Sequence, residues 1–119
     1  QASIDGIVDP TKLAEYRAQT QDVRVEEKIL NYIAEIVVKT RTHPHLYLGG
    51  SPRASLSIMN ASKAFAAISG RDFVIPEDVK RAVAPVLRHR LILSPEREME
   101  GMTTEQVIDM VVQSIEIPR

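Results

Sequence analysis

The sequence predicts an all-α domain: a compact bundle of four to five helices with at most one or two very short strands. Three observations carry this reading. Apolar residues recur at helical spacing in several separate stretches, the clearest being Ile29, Ile33, Ile36, Val37 and Thr40. Helix-start signals stand ahead of these stretches, at Asp9-Pro10, Ser51-Pro52, Pro76-Glu77-Asp78 and Thr103-Thr104-Glu105. A chain of 119 residues, 44% hydrophobic and 26% charged, buries about two thirds of its unfolded surface on area scaling, enough for one core.

The elements follow in order. Residues 1–9 read as a linker segment, and residues 10–119 as the helical domain. Leu13, Ala14, Tyr16 and Arg17 place a short helix over Thr11–Thr20. The next helix runs from about Val25 to Arg41, with Leu30, Tyr32 and Val38 widening its buried stripe. Glu26 and Glu27 at its start and Lys39 and Arg41 at its end suit the helix dipole. His43 to Gly50 contains Pro44, Gly49 and Gly50 and reads as a loop without regular structure. A third helix, Arg53 to Ser69, carries Ile58, Ala61, Ser62, Phe65 and Ile68 on one face. Its alanines let neighbours approach closely, and Gly70 ends it. Arg71–Ile75 reads as a small strand or an extended turn. The fourth helix buries Val79, Ala82, Val83, Val86 and Leu87, with a kink expected near Pro85. Leu91–Leu93 reads as another short extended piece, and Ser94–Gly101 as charged and exposed. A last helix from Thr103 buries Val107, Ile108, Val111, Val112 and Ile115.

Composition excludes several function classes. Cysteine is absent, which removes disulfides, thiolate metal sites and Cys nucleophiles and fits a reducing compartment. Fifteen Lys and Arg against sixteen Asp and Glu give a net charge of −1, whereas nucleic-acid binders show a basic excess. No apolar run is as long as a membrane span, and the first residues lack a signal-peptide plan. These features predict a cytoplasmic protein. Beginning at Gln1 without Met, the chain reads as a piece of something longer.

The search for an active site among the residues finds little. G-x-x-x-x-G-K-[ST], H-E-x-x-H, G-x-S-x-G and G-x-G-x-x-G are all missing. Glu26-Glu27 and Glu77-Asp78 stand at helix starts, where carboxylates favour the dipole rather than acid–base chemistry. His43 and His45 read as loop histidines, and His89 lies between Arg88 and Arg90, poor company for a metal cation. The best constellation is Gly49-Gly50-Ser51-Pro52-Arg53-Ala54. Gly50, Ser51 and Pro52 would open a helix whose free N–H groups attract anions. Arg53 in that first turn gains nothing from the dipole, so an anion supplied from outside gives it a use, and its planar fork suits phosphate. The alternative is a solvated arginine or one paired with an acid of the same chain. Arg88, His89 and Arg90 close a helix at its negative end, and contact with nucleic acid or a partner acid is the functional alternative there.

GGSPRA at 49–54 and GRDFVIPEDVKRAVAPVLRHRL at 70–91, with VRVEEKILNYIAEIVVKTR before and VVQSIEIP after, resemble the C-terminal helical lid of MoxR-type AAA+ ATPases. The resemblance runs from about Asp9 to Pro118. It implies an AAA+ lid-type bundle and a sensor 2 role for Arg53, reaching from the lid to the γ-phosphate of ATP, with Gly50, Ser51 and Pro52 as the supporting helix start. Gly49-Gly50 departs from the commoner Gly-Ala. No secure role carries over to Arg88, His89 and Arg90. The resemblance further implies ATP and Mg²⁺ as cofactors of the whole protein and an AAA+ core domain of the same chain as partner. Neighbouring subunits of a hexameric ring and proteins with von Willebrand A domains are the other implied partners. Segment 1–9 would then be the linker from that core. A P-loop lysine, Walker B acids, sensor 1 and arginine finger are missing from these 119 residues, so this chain alone is not expected to hydrolyse ATP. The rival readings are a non-catalytic helical interaction module and, against the charge, a nucleic-acid-binding domain.

Overall fold

A computed structural model describes residues 22–48 and 51–118. The linker segment 1–9, the helix expected over Thr11–Thr20, and Gly49 and Gly50 lie outside the described residues. Those described form five helices and one two-stranded ribbon: α1 Glu27–Thr42, β1 Leu46–Leu48, α2 Pro52–Ile68, α3 Pro76–Leu87, β2 Ile92–Leu93, α4 Pro95–Met99 and α5 Thr104–Ser114. The all-α expectation holds, and four of the five helices are those the periodicity predicts.

Helix α1 buries Ile29, Tyr32, Ile33, Ile36, Val37 and Thr40. Leu30 and Val38, expected to widen the stripe, are instead 42% and 52% exposed, because Leu30 falls just past the edge of the buried stripe and Val38 on the opposite side of the helix. Helix α2 buries Ala54, Ile58, Ser62 and Ala66, every fourth residue. Ile68, expected on the inner face, is 77% exposed: it stands two residues, about 200°, beyond Ala66. Helix α2 packs mainly on α3, and α1 lies against α2 and α5. The buried polar groups on these helices turn inward to their own backbone. Ser62 Oγ donates to the Ile58 carbonyl at 2.7 Å and Thr40 Oγ1 to that of Val37 at 2.6 Å.

Gly70 ends α2 as expected, at φ +80°. The Gly70 N–H bonds the Ala67 carbonyl at 3.0 Å and the Arg71 N–H that of Ala66 at 2.9 Å, the two bonds of a Schellman motif. Arg71–Ile75 is extended. Arg24 and Phe73 form one parallel bridge, with the Arg24 N–H on Asp72 and the Val74 N–H on Arg24. Helix α3 runs through exposed Pro85 and ends two residues later; Val79, Ala82, Val83 and Leu87 are buried and Val86 is half-buried.

One finding corrects the sequence reading. His43–Gly50 is not wholly irregular: β1 pairs antiparallel with β2, Leu46 opposite Leu93 and Leu48 opposite Ile92, with an irregularity between. Ser94–Gly101 is mostly exposed, as expected, with Ser94 and Arg97 half-buried, and Pro95–Met99 within it forms the one-turn helix α4. Helix α5 starts in a reciprocal cap. Thr103 Oγ1 accepts from the Gln106 N–H at 3.2 Å and the Thr103 N–H donates to Gln106 Oε1 at 2.8 Å. Val107, Ile108, Val111 and Ile115 are buried, and Val112 is half-buried.

Candidate functional site

The first turn of α2 is built as the sequence predicts. Ser51 is the exposed N-cap in an extended conformation, φ −84° and ψ 166°, and its side chain makes no capping bond. Pro52 takes the first helical position, where its missing N–H costs nothing. The Ala54 N–H returns to the Ser51 carbonyl at 2.9 Å, and the Ala54 methyl is buried, which fixes this turn against the bundle. Arg53 is exposed. Its side chain forms no ion pair or hydrogen bond with any described residue, so the alternative of an intramolecular acid partner finds no support among them. Helix α2 carries no acid in its first turn, whereas α1, α3, α4 and α5 each carry at least one. A guanidinium and the positive end of a helix therefore share one open corner. Chemically such a corner presents N–H donors and positive charge to an anion. Gly50, the remaining residue of the expected site, lies outside the described residues.

Some of the other charged groups among the described residues are engaged locally. Arg71 Nη1 and Nη2 hold Asp78 Oδ2 and Oδ1 at 2.5 and 2.8 Å, and Arg71 also donates to the Phe73 carbonyl at 3.3 Å. Asp78 also accepts from the Ile75 N–H at 2.9 Å. Burial pushes the Asp78 carboxyl up, but the Arg71 and Ile75 hydrogen bonds and the nearby guanidinium charges outweigh it and hold it below the usual value. The acid placed at a helix start by its sequence position is thus a structural ion pair and backbone cap. Arg81 stacks 4.5 Å over the Phe65 ring.

Arg88, His89 and Arg90 are exposed in the turn after α3. They lie by the start of α5. There the Glu105 carboxyl is held low, first by its hydrogen bond from Thr104 and then by a backbone bond, with Arg88 and His89 adding charge. Two of these three basic residues thus share a field with an acid of the domain. The histidines do not gather as ligands. His43 and His45 stand in the turn before β1 with ring centres 5.0 Å apart, and His45 Nδ1 accepts from Arg97 Nε at 3.1 Å. Sequence reasoning missed the Arg97–His45 contact, which spans 52 positions and leaves no local signal. A surface groove of about 510 Å³ between α3 and α5, walled by Ala84, Ile108, Val112, Ile115 and Ile117, does not include Arg53.

Comparison with known proteins places this arrangement. The family model described as the AAA lid domain matches residues 38–111, which takes in the α2 start, the ribbon, the Arg71–Asp78 pair and most of α5. The chain belongs to the AAA lid domain family. It is similar to the uncharacterized protein YeaC of Bacillus subtilis, at 40% identity over 84% of this chain and 31% of that protein. It is also similar to the chaperone MoxR1 of Mycobacterium tuberculosis, at 36% identity over 80% of this chain and 28% of that one. A crystal structure from Cytophaga hutchinsonii, of a protein provisionally named an ATPase, superposes with a TM-score of 0.82 at 32% identity, over 87% of this chain and 34% of that one. The chain is therefore a MoxR-like AAA+ lid, and it spans under a third of the length of these two curated relatives.

Proposed function

We propose that this lid couples ATP binding and hydrolysis to the chaperone-like remodelling or maturation of partner proteins, with Arg53 as its sensor 2 residue. The observation that carries the reading is the exposed guanidinium in the first turn of an acid-free helix start, without a partner among the described residues. It supports a phosphate supplied from another domain. The resemblance of GGSPRA to the family's sensor 2 block supports the same role, and the name of the mycobacterial relative supports the chaperone-like part.

In this reading ATP and Mg²⁺ are held mainly by an AAA+ core domain of the same polypeptide. Ser51, Pro52 and the residue before them present the helix end, and Arg53 reaches the γ-phosphate. Loss of that phosphate weakens the contact and lets the lid turn, a switch driven by differential binding to two states. The turn passes to the next subunit of a hexameric ring in the cytoplasm, and von Willebrand A domain proteins are candidate partners.

The test is Arg53→Ala in the full-length protein that carries this lid. A charge-assisted hydrogen bond is worth about 1.5–3 kcal/mol, so ATP turnover at saturating Mg²⁺ should fall roughly ten- to a hundredfold. The thermal midpoint should stay put, because an exposed, unpaired side chain contributes within about 0.5 kcal/mol of nothing. Turnover equal to wild type removes the sensor role.

A further inference from the structure

The residues that follow α5 have the pattern of a strand without a partner strand. Ile115, Glu116 and Ile117 alternate apolar and polar, and both apolar residues are β-branched. Ile115 takes β-region dihedrals, φ −103° and ψ 133°. Ile117 stands before Pro118, whose ring disfavours the helical region for it. The alternation is realised in space. Ile115 and Ile117 line the groove between α3 and α5, and Glu116 does not. Glu116 instead lines the opposite flank, against α1, beside Asn31, Glu35 and Lys39.

The main chain of this segment is unused. The Ile115 N–H returns to the Val112 carbonyl at 3.4 Å. Beyond it, the N–H and C=O groups of Glu116 and Ile117 have no hydrogen-bond partner among the described residues, and both residues are exposed. Open donors and acceptors on an extended segment are a template for another strand. Beside them lies the groove of about 510 Å³, floored by Ala84, Ile108 and Val112. Its α5 rim carries Glu105 and Asp109, one turn apart, and its α3 rim carries Lys80. Glu105 accepts from Thr104 at 2.7 Å and Asp109 from Gln113 at 3.1 Å, and each carboxylate keeps further acceptor sites. The acids outnumber the base at the mouth, so a cation on the α5 side suits this groove.

We propose that Glu116 and Ile117 receive an extended peptide of a partner protein by strand addition. The main chain of the peptide pairs with theirs, its alternate apolar side chains enter the α3–α5 groove, and a Lys or Arg at its end meets Glu105 and Asp109. Main-chain bonds give such a site its hold, and the side-chain groove gives it selectivity. Neither Arg53 nor a nucleotide takes part, so this surface stands or falls apart from the sensor role.

The test is heteronuclear NMR of the whole chain, titrated with short capped peptides. The first peptide alternates valine with threonine and ends in lysines. A second ends in glutamates, and a third repeats the first with its main-chain nitrogens methylated. The first should shift the Glu116 and Ile117 amides, slow their hydrogen exchange, and move the methyl signals of Ile108, Val112 and Ile117. The second should bind about fivefold more weakly at low salt, the scale of exposed ion pairs. That difference should vanish when Glu105→Gln and Asp109→Gln are combined. The third should not bind. Ile117→Pro removes a donor at an exposed position and should abolish the slowed exchange at Glu116, whereas Ile117→Val should keep it. Glu116 and Ile117 amides unmoved by millimolar first peptide overturn the proposal. So does a methylated peptide that moves the groove methyls as strongly as the first, since the groove then takes side chains without strand pairing. Equal binding of the glutamate peptide overturns the basic end.

Discussion

Asp78 shows how a sequence position and a structural role diverge. Its place three residues into a helix start predicts a favourable dipole interaction, and the Ile75 N–H bond delivers that. Its main partner, Arg71, sits on the far side of the Phe73 extension, and nothing in a local pattern ties the two together. Asp78→Asn should lower unfolding free energy by about 2 kcal/mol, the range for hydrogen bonds to charged groups, read by chemical denaturation at neutral pH. The pH dependence has a definite sign. The native carboxyl lies below the unfolded value of 3.8, so its contribution is full above that value and is lost as pH falls through the native one. The stability gap between wild type and Asp78→Asn should therefore begin to narrow below about pH 3.8 and keep narrowing as pH falls further; a gap that stays constant under acid would refute the pairing account. Tyr32 gives the opposite case. Its hydroxyl is buried without a partner among the described residues, and burial first, then the Glu77 charge, pushes it up. Tyr32→Phe removes an unsatisfied group and should leave stability unchanged or raise it by up to about 1 kcal/mol; a loss larger than that would reveal a partner. Arg53 was legible because three adjacent residues define its corner. The His45–Arg97 contact was not, because it joins residues whose proximity exists only after the ribbon forms.

At the scale of elements, legibility follows the range of the stabilising contacts. Helices α1, α2, α3 and α5 announce themselves because their apolar stripes and caps lie within one window. Even there the width of a stripe is set by the neighbouring helices, and Leu30, Val38 and Ile68 fall outside it. Strand β1 is hidden for a different reason. Its partner β2 lies some 45 residues on, while Pro44, Gly49 and Gly50 beside it give loop signals of their own. Helix α4 is too short for periodicity, and only Ser94-Pro95 hints at its start. The turn at Gly70 offers a direct check. At φ +80° nothing lies within 4 Å of where a Cβ would stand, so Gly70→Ala is penalised by backbone conformation alone. The left-handed penalty of about 1–2 kcal/mol should appear in full as lost stability. An alanine variant as stable as wild type would mean the α2–α3 turn had found another conformation.

Over the whole described molecule, stability is unevenly shared, and α4 and the ribbon sit at its weak end. Ile36, Val37, Ile58, Val79, Val83, Leu87 and Val107 are all within 1% of full burial, and they join α1, α2, α3 and α5 into one core. Helix α4 contributes no buried residue. It is held by Schellman bonds at Gly101 and by Arg97 and Ser94 on His45, and the ribbon it grips has only two paired positions. Regions with few buried contacts and exposed backbone bonds open at lower free energy than the core. Native-state hydrogen exchange should therefore resolve two classes. Amides of Val37, Ile58 and Val83 should exchange only through global unfolding, within the 5–15 kcal/mol typical of domains, roughly. Amides of Gly101, Met102 and Ser94 should exchange through local opening at visibly lower free energy and with little denaturant dependence. Arg97→Met should lower protection at Ser94 further and leave the core class unchanged. If Ser94 and Met102 instead exchange with the core, α4 and the ribbon belong to the single cooperative unit. If they open alone, the same bundle combines a rigid core of α1, α2, α3 and α5 with a soft attachment in α4 and the ribbon.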